Sequence, residues 1–237
     1  GGNGRNSSKG ELGKLRNSPS GGAAPVPGRG SWGVGGRVIA GIQGLCRMPA
    51  HRMLGRVSCT AMSHREHRPT PSKDDIALLE PFEQLGLDRI TLVNTGAQAR
   101  EAAAALADHE DWGFDTESKP TFFKDQVSDG PHVVQLATQD HAWVFQLHEP
   151  DCRSVVAALL ENARHTKAGF GLGDDTRRII SKLGVEPMQV LELNAVFRAQ
   201  GYRKDMGVKA AVAVLFNRRF IKSKKAATSN WAAPRLS

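Results

Sequence analysis

Trp112-Gly113-Phe114-Asp115-Thr116-Glu117-Ser118 is the stretch that decides the fold, because apolar residues there lead into two carboxylates spaced i and i+2. Successive side chains of a β-strand point to opposite faces, so this spacing puts Asp115 and Glu117 on one face. Two like charges held so close repel each other, and a hard divalent cation such as Mg²⁺ offsets that repulsion. The stretch therefore predicts half of a metal site at a strand end. Two solvated acids at an exposed strand end are the alternative that the stretch alone leaves open.

The pattern around this stretch predicts an α/β fold. Alternating apolar residues and turn signals predict strands and helices, with a tight hairpin at Asp140. The predicted strands are 89–94, 111–118, 132–139, 141–148, 167–173 and 189–193, and the predicted helices are 97–109, one starting at Pro150, 174–183 and 206–216. Three adjacent strands followed by strand–helix alternation indicate a mixed sheet, with three antiparallel strands and then parallel strands, flanked by helices.

The charge of the chain is concentrated in its first quarter. The net charge is +8, and residues 1–61, with nine Lys/Arg and one acid, account for all of it. Those residues hold few large apolar groups, so we expect a disordered Gly/Arg-rich tail that is either non-native, with Met62 as a true start, or a mitochondrial transit peptide. We expect a linker with a short helix over 62–88 and one folded domain over 89–237.

Composition also narrows the compartment and the class of protein. The three cysteines form no Cys-x-x-Cys pair, which favours a reducing, cytoplasmic setting over a disulfide framework; the mitochondrion is the alternative if the tail is native. No apolar run approaches the roughly 18 residues of a membrane span, so we expect no membrane partner. From residue 198 to the end there are ten Lys/Arg and one acid, a basic flank that suits a phosphodiester substrate as well as it suits a solvated helix face.

A second acidic position follows the glycine-rich run Lys167–Gly173. Asp174 and Asp175 stand at the predicted start of a helix. One aspartate explains an N-cap, which leaves the other available. We assign Asp174 to the cap and Asp175 to the metal.

These segments together resemble the DEDD 3′–5′ exonucleases, and within them the branch of ribonuclease D and the Werner-syndrome-helicase exonuclease. The run from Gly113 to Phe122 is similar to the first motif of that family, and Lys167 to Asp175, with Ile179 four residues on, is similar to the second. Further similarities lie at 133–137, 190–193 and 229–231. The resemblance covers about Arg89 to the C-terminus and implies a ribonuclease-H-like fold.

The resemblance also implies a mechanism with two metal ions, Mg²⁺ or Mn²⁺, that hydrolyses phosphodiester bonds at the 3′ ends of DNA or RNA. By motif match, Asp115 and Glu117 would hold the ion on the nucleophile side, and Asp115 would bridge to the second ion. Asp175 would help fix the second ion, partly through water. Thr116, Phe122 and Phe123 are candidates for substrate contact, since aromatic faces stack on unstacked bases.

The third motif of the family, Tyr-x-x-x-Asp after a Ser-Asn-Trp landmark, is absent from residues 232–237. We therefore expect the chain to be a fragment that stops before this motif, rather than a natural pseudoenzyme. The leading hypothesis is a 3′–5′ exonuclease domain that is incomplete as printed. The alternative is a non-catalytic nucleic-acid-binding or interaction module on the same fold; protein partners and the choice between DNA and RNA stay open.

Overall fold

A six-stranded mixed sheet organises the computed structural model, which describes residues 67–119, 129–221, 230–234 and 236. The strands are β1 (Ile90–Val93), β2 (Asp111–Glu117), β3 (Val133–Ala137), β4 (Ala142–Gln146), β5 (Thr166–Gly169) and β6 (Val190–Glu192). Their spatial order is β1-β4-β3-β2-β5-β6. The β2–β3 and β3–β4 pairs are antiparallel, whereas β1–β4, β2–β5 and β5–β6 are parallel. The predicted combination of three antiparallel strands with parallel neighbours is confirmed.

Six α-helices and one short 3₁₀-helix (Leu87–Arg89) accompany the sheet in the described part of the chain. The α-helices are α1 (Lys73–Ala77), α2 (Gly96–Ala107), α3 (Pro150–Glu161), α4 (Leu172–Leu183), α5 (Leu193–Ala199) and α6 (Val208–Phe216). None of them is long and apolar enough to cross a membrane. The start of α3 at Pro150 follows from the preference of proline for the first helical turn. The end of α4 follows from Gly184, whose φ of 71° suits a left-handed cap.

The two faces of the sheet bury different clusters. One face packs Phe114, Val134 and Leu136 against α2, α3 and α4. The other face buries Val133, Ala137 and Val144 together with Trp231 from the C-terminal segment. Since directly paired residues of antiparallel strands share a face, the register places Phe114 and Thr116 on the first face, and Asp115 and Glu117 on the second.

Several element bounds differ from the predicted ones by one or more residues, among them the following. The strand predicted over 167–173 stops at Gly169, because Gly171 adopts a φ of 70° and α4 already begins at Leu172. The turn at Asp140 is part of a longer connection, in which the Thr138 N–H donates to the His141 carbonyl at 2.9 Å. Helix α5 occupies residues where the last strand was expected to end, and α6 begins two residues later than predicted. The tail predicted over 1–61 lies outside the described residues.

A buried lysine lies at the end of the sheet where β2 and β5 begin. Lys167 is fully buried, and its Nζ donates to the carbonyls of Asn162 at 2.6 Å and His165 at 2.9 Å. The ammonium also stands 5.8 Å from the ring centroid of Trp112, which stacks on His165. Burial lowers the pKa of Lys167 from 10.5 to about 8.

Candidate functional site

The two carboxylates of β2 lie on the face of the sheet that α4 does not cover. Asp115 pairs with Gln135 and Glu117 pairs with Val133, which belongs to the cluster under Trp231. Their shared face is the one predicted from the i, i+2 spacing. The backbone also fixes the strand end, since the Glu117 carbonyl accepts the His132 N–H at 2.9 Å. The two carboxylates therefore lie on a central strand that is paired with β3 over its whole C-terminal half.

The end of β2 projects past its parallel neighbour, and α4 begins in the space beside it. Pairing with β5 covers Asp111 to Gly113 only. Gly169, the last residue of β5, packs so closely that a side chain there would overlap the carbonyl oxygen of Phe114 and approach Leu172 Cδ2 to 2.7 Å. This glycine allows the first turn of α4 to lie against the strand that carries the carboxylates.

Asp175 reaches β2 from the first turns of α4. Its Oδ1 accepts a short hydrogen bond from the hydroxyl of Thr116, the residue between the two strand carboxylates. Asp175 lies on the same side of α4 as Leu172 and Ile179, both buried against the sheet. The structure therefore brings Asp175 beside the Asp115–Glu117 strand, and it does so through the opposite face of that strand.

Burial and a neighbouring acid make Asp175 hold its proton more strongly than a solvated aspartate. Burial is the largest cause of a raised pKa at Asp175, and the Glu192 carboxylate acts in the same direction. The hydrogen bond from Thr116 and the charge of Arg178 oppose the rise in pKa. A cation bound near Asp175 would favour its ionised form.

A second hydrogen bond between the end of β2 and α4 lies beside the Thr116–Asp175 bond. The Arg178 Nη1 donates to the Ser118 hydroxyl at 3.1 Å. Ser118 directly follows β2 and is two residues from Thr116, and Asp175 and Arg178 are three apart on the helix, so both pairs occupy matching faces. These two hydrogen bonds hold the start of α4 against the end of β2.

Glu192 connects two helix starts to the same region. Its Oε2 accepts the Leu172 N–H at 2.8 Å, at the first turn of α4. Its Oε1 accepts the Asn194 N–H at 3.0 Å and caps α5. Glu192 thus contributes negative charge near Asp175 while both of its oxygens satisfy helical donors.

A buried amide faces the strand carboxylates. Gln135 is paired with Asp115 across the strands and is 1% exposed. Neither its Oε1 nor its Nε2 has a hydrogen-bond partner among the residues that the structure describes. A buried polar group in that position is costly unless something else contacts it.

The carboxylate oxygens of Asp115 and Glu117 suit a divalent cation, although they do not surround a metal position on their own. Hard ions such as Mg²⁺ and Mn²⁺ prefer carboxylate oxygens, and Asp115 and Glu117 supply two on one face. In the described ranges, no group of three or more His, Cys, Asp or Glu side chains is arranged to hold a metal. Asp115 and Glu117 are therefore the part of the predicted metal site that the structure supports best.

Three other residues were predicted to act at or near the site, and the structure does not support those roles for any of the ones that it describes. Asp174 is not the N-cap: Gly171 occupies that position, and Asp174 is exposed and pairs with Arg177. Asp174 lies inside the first turn because α4 starts earlier than predicted.

Phe122 and Phe123 lie outside the described residues. The sequence interpretation missed the roles of Glu192 and Arg178, because their partners lie 20 and 60 positions away in the chain.

A family model for the 3′–5′ exonuclease domain matches residues 90–237, more than half of the chain. No curated protein sequence matched. Nucleases of this family generally use divalent metal ions.

Several solved structures share the fold at low sequence identity. The Nibbler exonuclease domain of Aedes aegypti is 18% identical with a TM-score of 0.52, over 63% of this chain and 77% of that one. Escherichia coli RNase D is 17% identical with a TM-score of 0.54, over 62% and 38%. The catalytic core of Rrp6 from Trypanosoma brucei is 15% identical with a TM-score of 0.52, over 68% and 44%. The chain thus spans less than half of the RNase D and Rrp6 chains that it matches.

The family match covers every strand of the sheet, and the ribonuclease-H-like fold of these neighbours agrees with the observed architecture. The metal-dependent nuclease chemistry of that family also agrees with carboxylates placed on a central strand. The chain belongs to the 3′–5′ exonuclease domain family of hydrolases.

Proposed function

We propose that Asp115 and Glu117 hold a divalent metal ion at which the domain cleaves the terminal phosphodiester bond of a nucleic-acid strand. The observation that carries the proposal is their shared placement on the face of β2 that α4 does not cover. We propose Asp175 as a further ligand from α4; its Oδ1 accepts a hydrogen bond from Thr116 on the opposite face of β2, so it would have to leave that bond to join them. Two ions, Mg²⁺ or Mn²⁺, are the occupancy that we propose for the complete site.

When bound by Asp115 and Glu117, a divalent metal would neutralise charge at the phosphate and lower the pKa of a bound water. The residues of this chain do the rest. Asp115 and Glu117 provide the anionic ligands, and their pairing with Gln135 and Val133 of β3 limits the movement of the strand that carries them. Thr116 donates a hydrogen bond to Asp175 Oδ1 and so restricts the orientation of that carboxylate. Thr116 is therefore a positioning residue.

The substrate that we propose is the 3′ end of a single strand of RNA or DNA. Two structural neighbours are linked to RNA: E. coli RNase D is an exoribonuclease involved in structured RNA processing, and T. brucei RNase D is known in a complex with GMP. Both statements concern those proteins, and they make RNA the first substrate to test. A DNA strand of the same sequence is the parallel test.

The test of the metal site is a thermal unfolding series in Mn²⁺ and Mg²⁺ with wild type, Asp115→Asn and Asp108→Asn. Asp108 is an exposed acid at the end of α2 and serves as the matched control. At ten times the dissociation constant, a single bound ion stabilises the folded state by about 1.4 kcal/mol, or about 3–6 °C. We expect that rise in wild type and Asp108→Asn, and its loss in Asp115→Asn. Equal metal dependence in all three would remove the site.

The test of the reaction uses 5′-labelled RNA and DNA strands with Mn²⁺. Hydrolysis from the 3′ end shortens the labelled product one nucleotide at a time, and Asp115→Asn should abolish that ladder. A chain that binds metal and strand without shortening the strand would favour the non-catalytic module instead.

A further inference from the structure

Gln135 is a buried polar residue at the boundary between the apolar core and the proposed metal ligands. Its side chain is 1% exposed, and within the described ranges neither its Oε1 nor its Nε2 has a hydrogen-bond partner. Burying an amide without hydrogen bonds is costly, so native proteins rarely leave both ends of one unpaired. The fold therefore holds an amide whose donor and acceptor both lack a partner in this part of the chain.

The neighbours of Gln135 on its own face of the sheet leave one direction for a polar contact. Val133 and Ala137 flank it on β3 and Val144 pairs with it on β4, and all three belong to the buried apolar cluster of that face. On β2 it pairs with Asp115. The Cβ atoms of directly paired residues are about 4.5–5.5 Å apart, which is within the reach of a glutamine side chain. Asp115 is thus the polar residue among these four neighbours.

The carboxylate of Asp115 is already held by its own strand. Its Oδ1 accepts the Thr116 N–H at 2.9 Å. Carboxylates that bind metals in proteins are usually hydrogen-bonded as well, and those bonds fix the orientation in which the oxygens meet the ion. A hydrogen bond to an ionised carboxylate is also stronger than one between neutral groups. The Nε2 of Gln135 therefore suits the role of a second donor to Asp115, from the neighbouring strand.

We propose that Gln135 is a positioning residue for Asp115: its Nε2 donates a hydrogen bond to the Asp115 carboxylate when that carboxylate holds a divalent ion. The inference rests on the proposed function, since it takes Asp115 to be a metal ligand. Gln135 does not contact the ion. It limits the orientations of Asp115 from β3, as the Thr116 N–H does from β2. The unpaired amide lowers the stability of the metal-free domain, and the bond that it gains in the metal-bound domain offsets that cost.

The experiment measures the binding of Mn²⁺, Mg²⁺ and Ca²⁺ to the full chain by isothermal titration calorimetry. Gln135→Met and Gln135→Leu both remove the amide and keep most of the side-chain volume. Asp115→Asn shows which part of the binding belongs to the proposed site. Thermal unfolding of each variant is recorded without metal, so that an effect on folding is separated from an effect on the ion.

Gln146→Met is the matched control. Gln146 is as buried as Gln135 and lies on the same face, and its Nε2 donates to the Ala233 carbonyl at 3.0 Å. It pairs with Val133, which in turn pairs with Glu117, so a whole strand separates Gln146 from the carboxylates. The control therefore removes a buried amide from the same face without removing a neighbour of the proposed metal ligands.

Gln135→Met should weaken the binding of Mg²⁺ and Mn²⁺ about tenfold. Binding of Ca²⁺ should weaken about threefold or less, because Ca²⁺ accepts flexible geometry whereas Mg²⁺ demands a near-ideal octahedron. The melting temperature without metal should rise in the same variant, since the unpaired amide is gone. Gln146→Met should bind all three ions within about twofold of the wild type. A merely structural role for Gln135 would instead lower the melting temperature and weaken all three ions alike.

Three results would overturn the role of Gln135: an unchanged Mg²⁺ affinity in Gln135→Met, an equal loss for all three ions, or a lower melting temperature in both variants at this position. Failure of both variants to fold counts as the last result, because it would show that the amide has a partner in the metal-free domain. Failure of the proposed function has a different signature. The wild type and Asp115→Asn would then bind the ions equally, which would remove the metal site and the role of Gln135 with it.

Discussion

Replacing the buried lysine of β5 should change how stability depends on pH. Lys167 is fully buried, and burial lowers its pKa from 10.5 to about 8. The unfolded chain therefore binds more protons than the folded chain between these two values, so stability rises with pH there. The penalty of charging Lys167 is fully present below about pH 8 and disappears as the pH approaches 10.5.

The size of the effect follows from the two pKa values. Their difference corresponds to about 3 kcal/mol of lost stability when Lys167 is charged, and the free energy of unfolding should rise by about 2.5 kcal/mol between about pH 7 and 10. Lys167→Met keeps the length of the side chain and removes the titrating group. Its free energy of unfolding should therefore lack this rise, whatever the mutation costs through the lost bonds to Asn162 and His165.

The assay is urea unfolding of both proteins in steps across that pH range, with the difference between the two curves as the readout. Other titrating groups cancel in that difference. As the pH rises, the free energy of unfolding of the wild type should increase by about 2–3 kcal/mol relative to that of Lys167→Met. Parallel curves would show that Lys167 keeps its ordinary pKa, with the two carbonyls and the Trp112 ring compensating for burial.

Two further substitutions test the packing around the site. Gly169→Ala should destabilise the domain by about 1–3 kcal/mol, because the new methyl group would overlap the Phe114 carbonyl; Gly173→Ala, which meets nothing within 4 Å, is the control, and equal effects in urea unfolding would contradict the close approach. Gln135→Met should raise the stability by about 1–2 kcal/mol, since it removes a buried amide, and it should weaken metal binding at Asp115. A loss of stability in Gln135→Met would show that the amide has a partner.

Local patterns in the sequence predict most of the strands and the ends of several helices. Alternation predicts β1 and β2, Pro150 predicts the start of α3, and Gly184 predicts the end of α4. Each of these signals depends on a residue and its immediate neighbours. The shared face of Asp115 and Glu117 was predictable for the same reason, because a strand has a period of two.

The contacts that complete the site depend on residues far apart in the chain, and local patterns contain no information about them. The Thr116–Asp175 and Ser118–Arg178 bonds join positions separated by 59 and 60 residues. The assignment of Asp174 as the cap was wrong because Gly171 adopts a left-handed conformation and starts the helix earlier. Aspartate is the commoner cap, so the preference itself pointed to the wrong residue.

The parallel pairing of β1 with β4 has a consequence for synthesis of the chain. Ile90 pairs with Ala142, 52 positions later, whereas Ala137 pairs with the same residue from 5 positions away. Closing the longer loop costs about 2 kcal/mol more entropy. At about 5–20 residues per second, a ribosome needs about 3–10 s to make the intervening residues. β1 thus leaves the ribosome before β4 has been made. During that interval the apolar residues of β1 are available to chaperones and to other nascent chains.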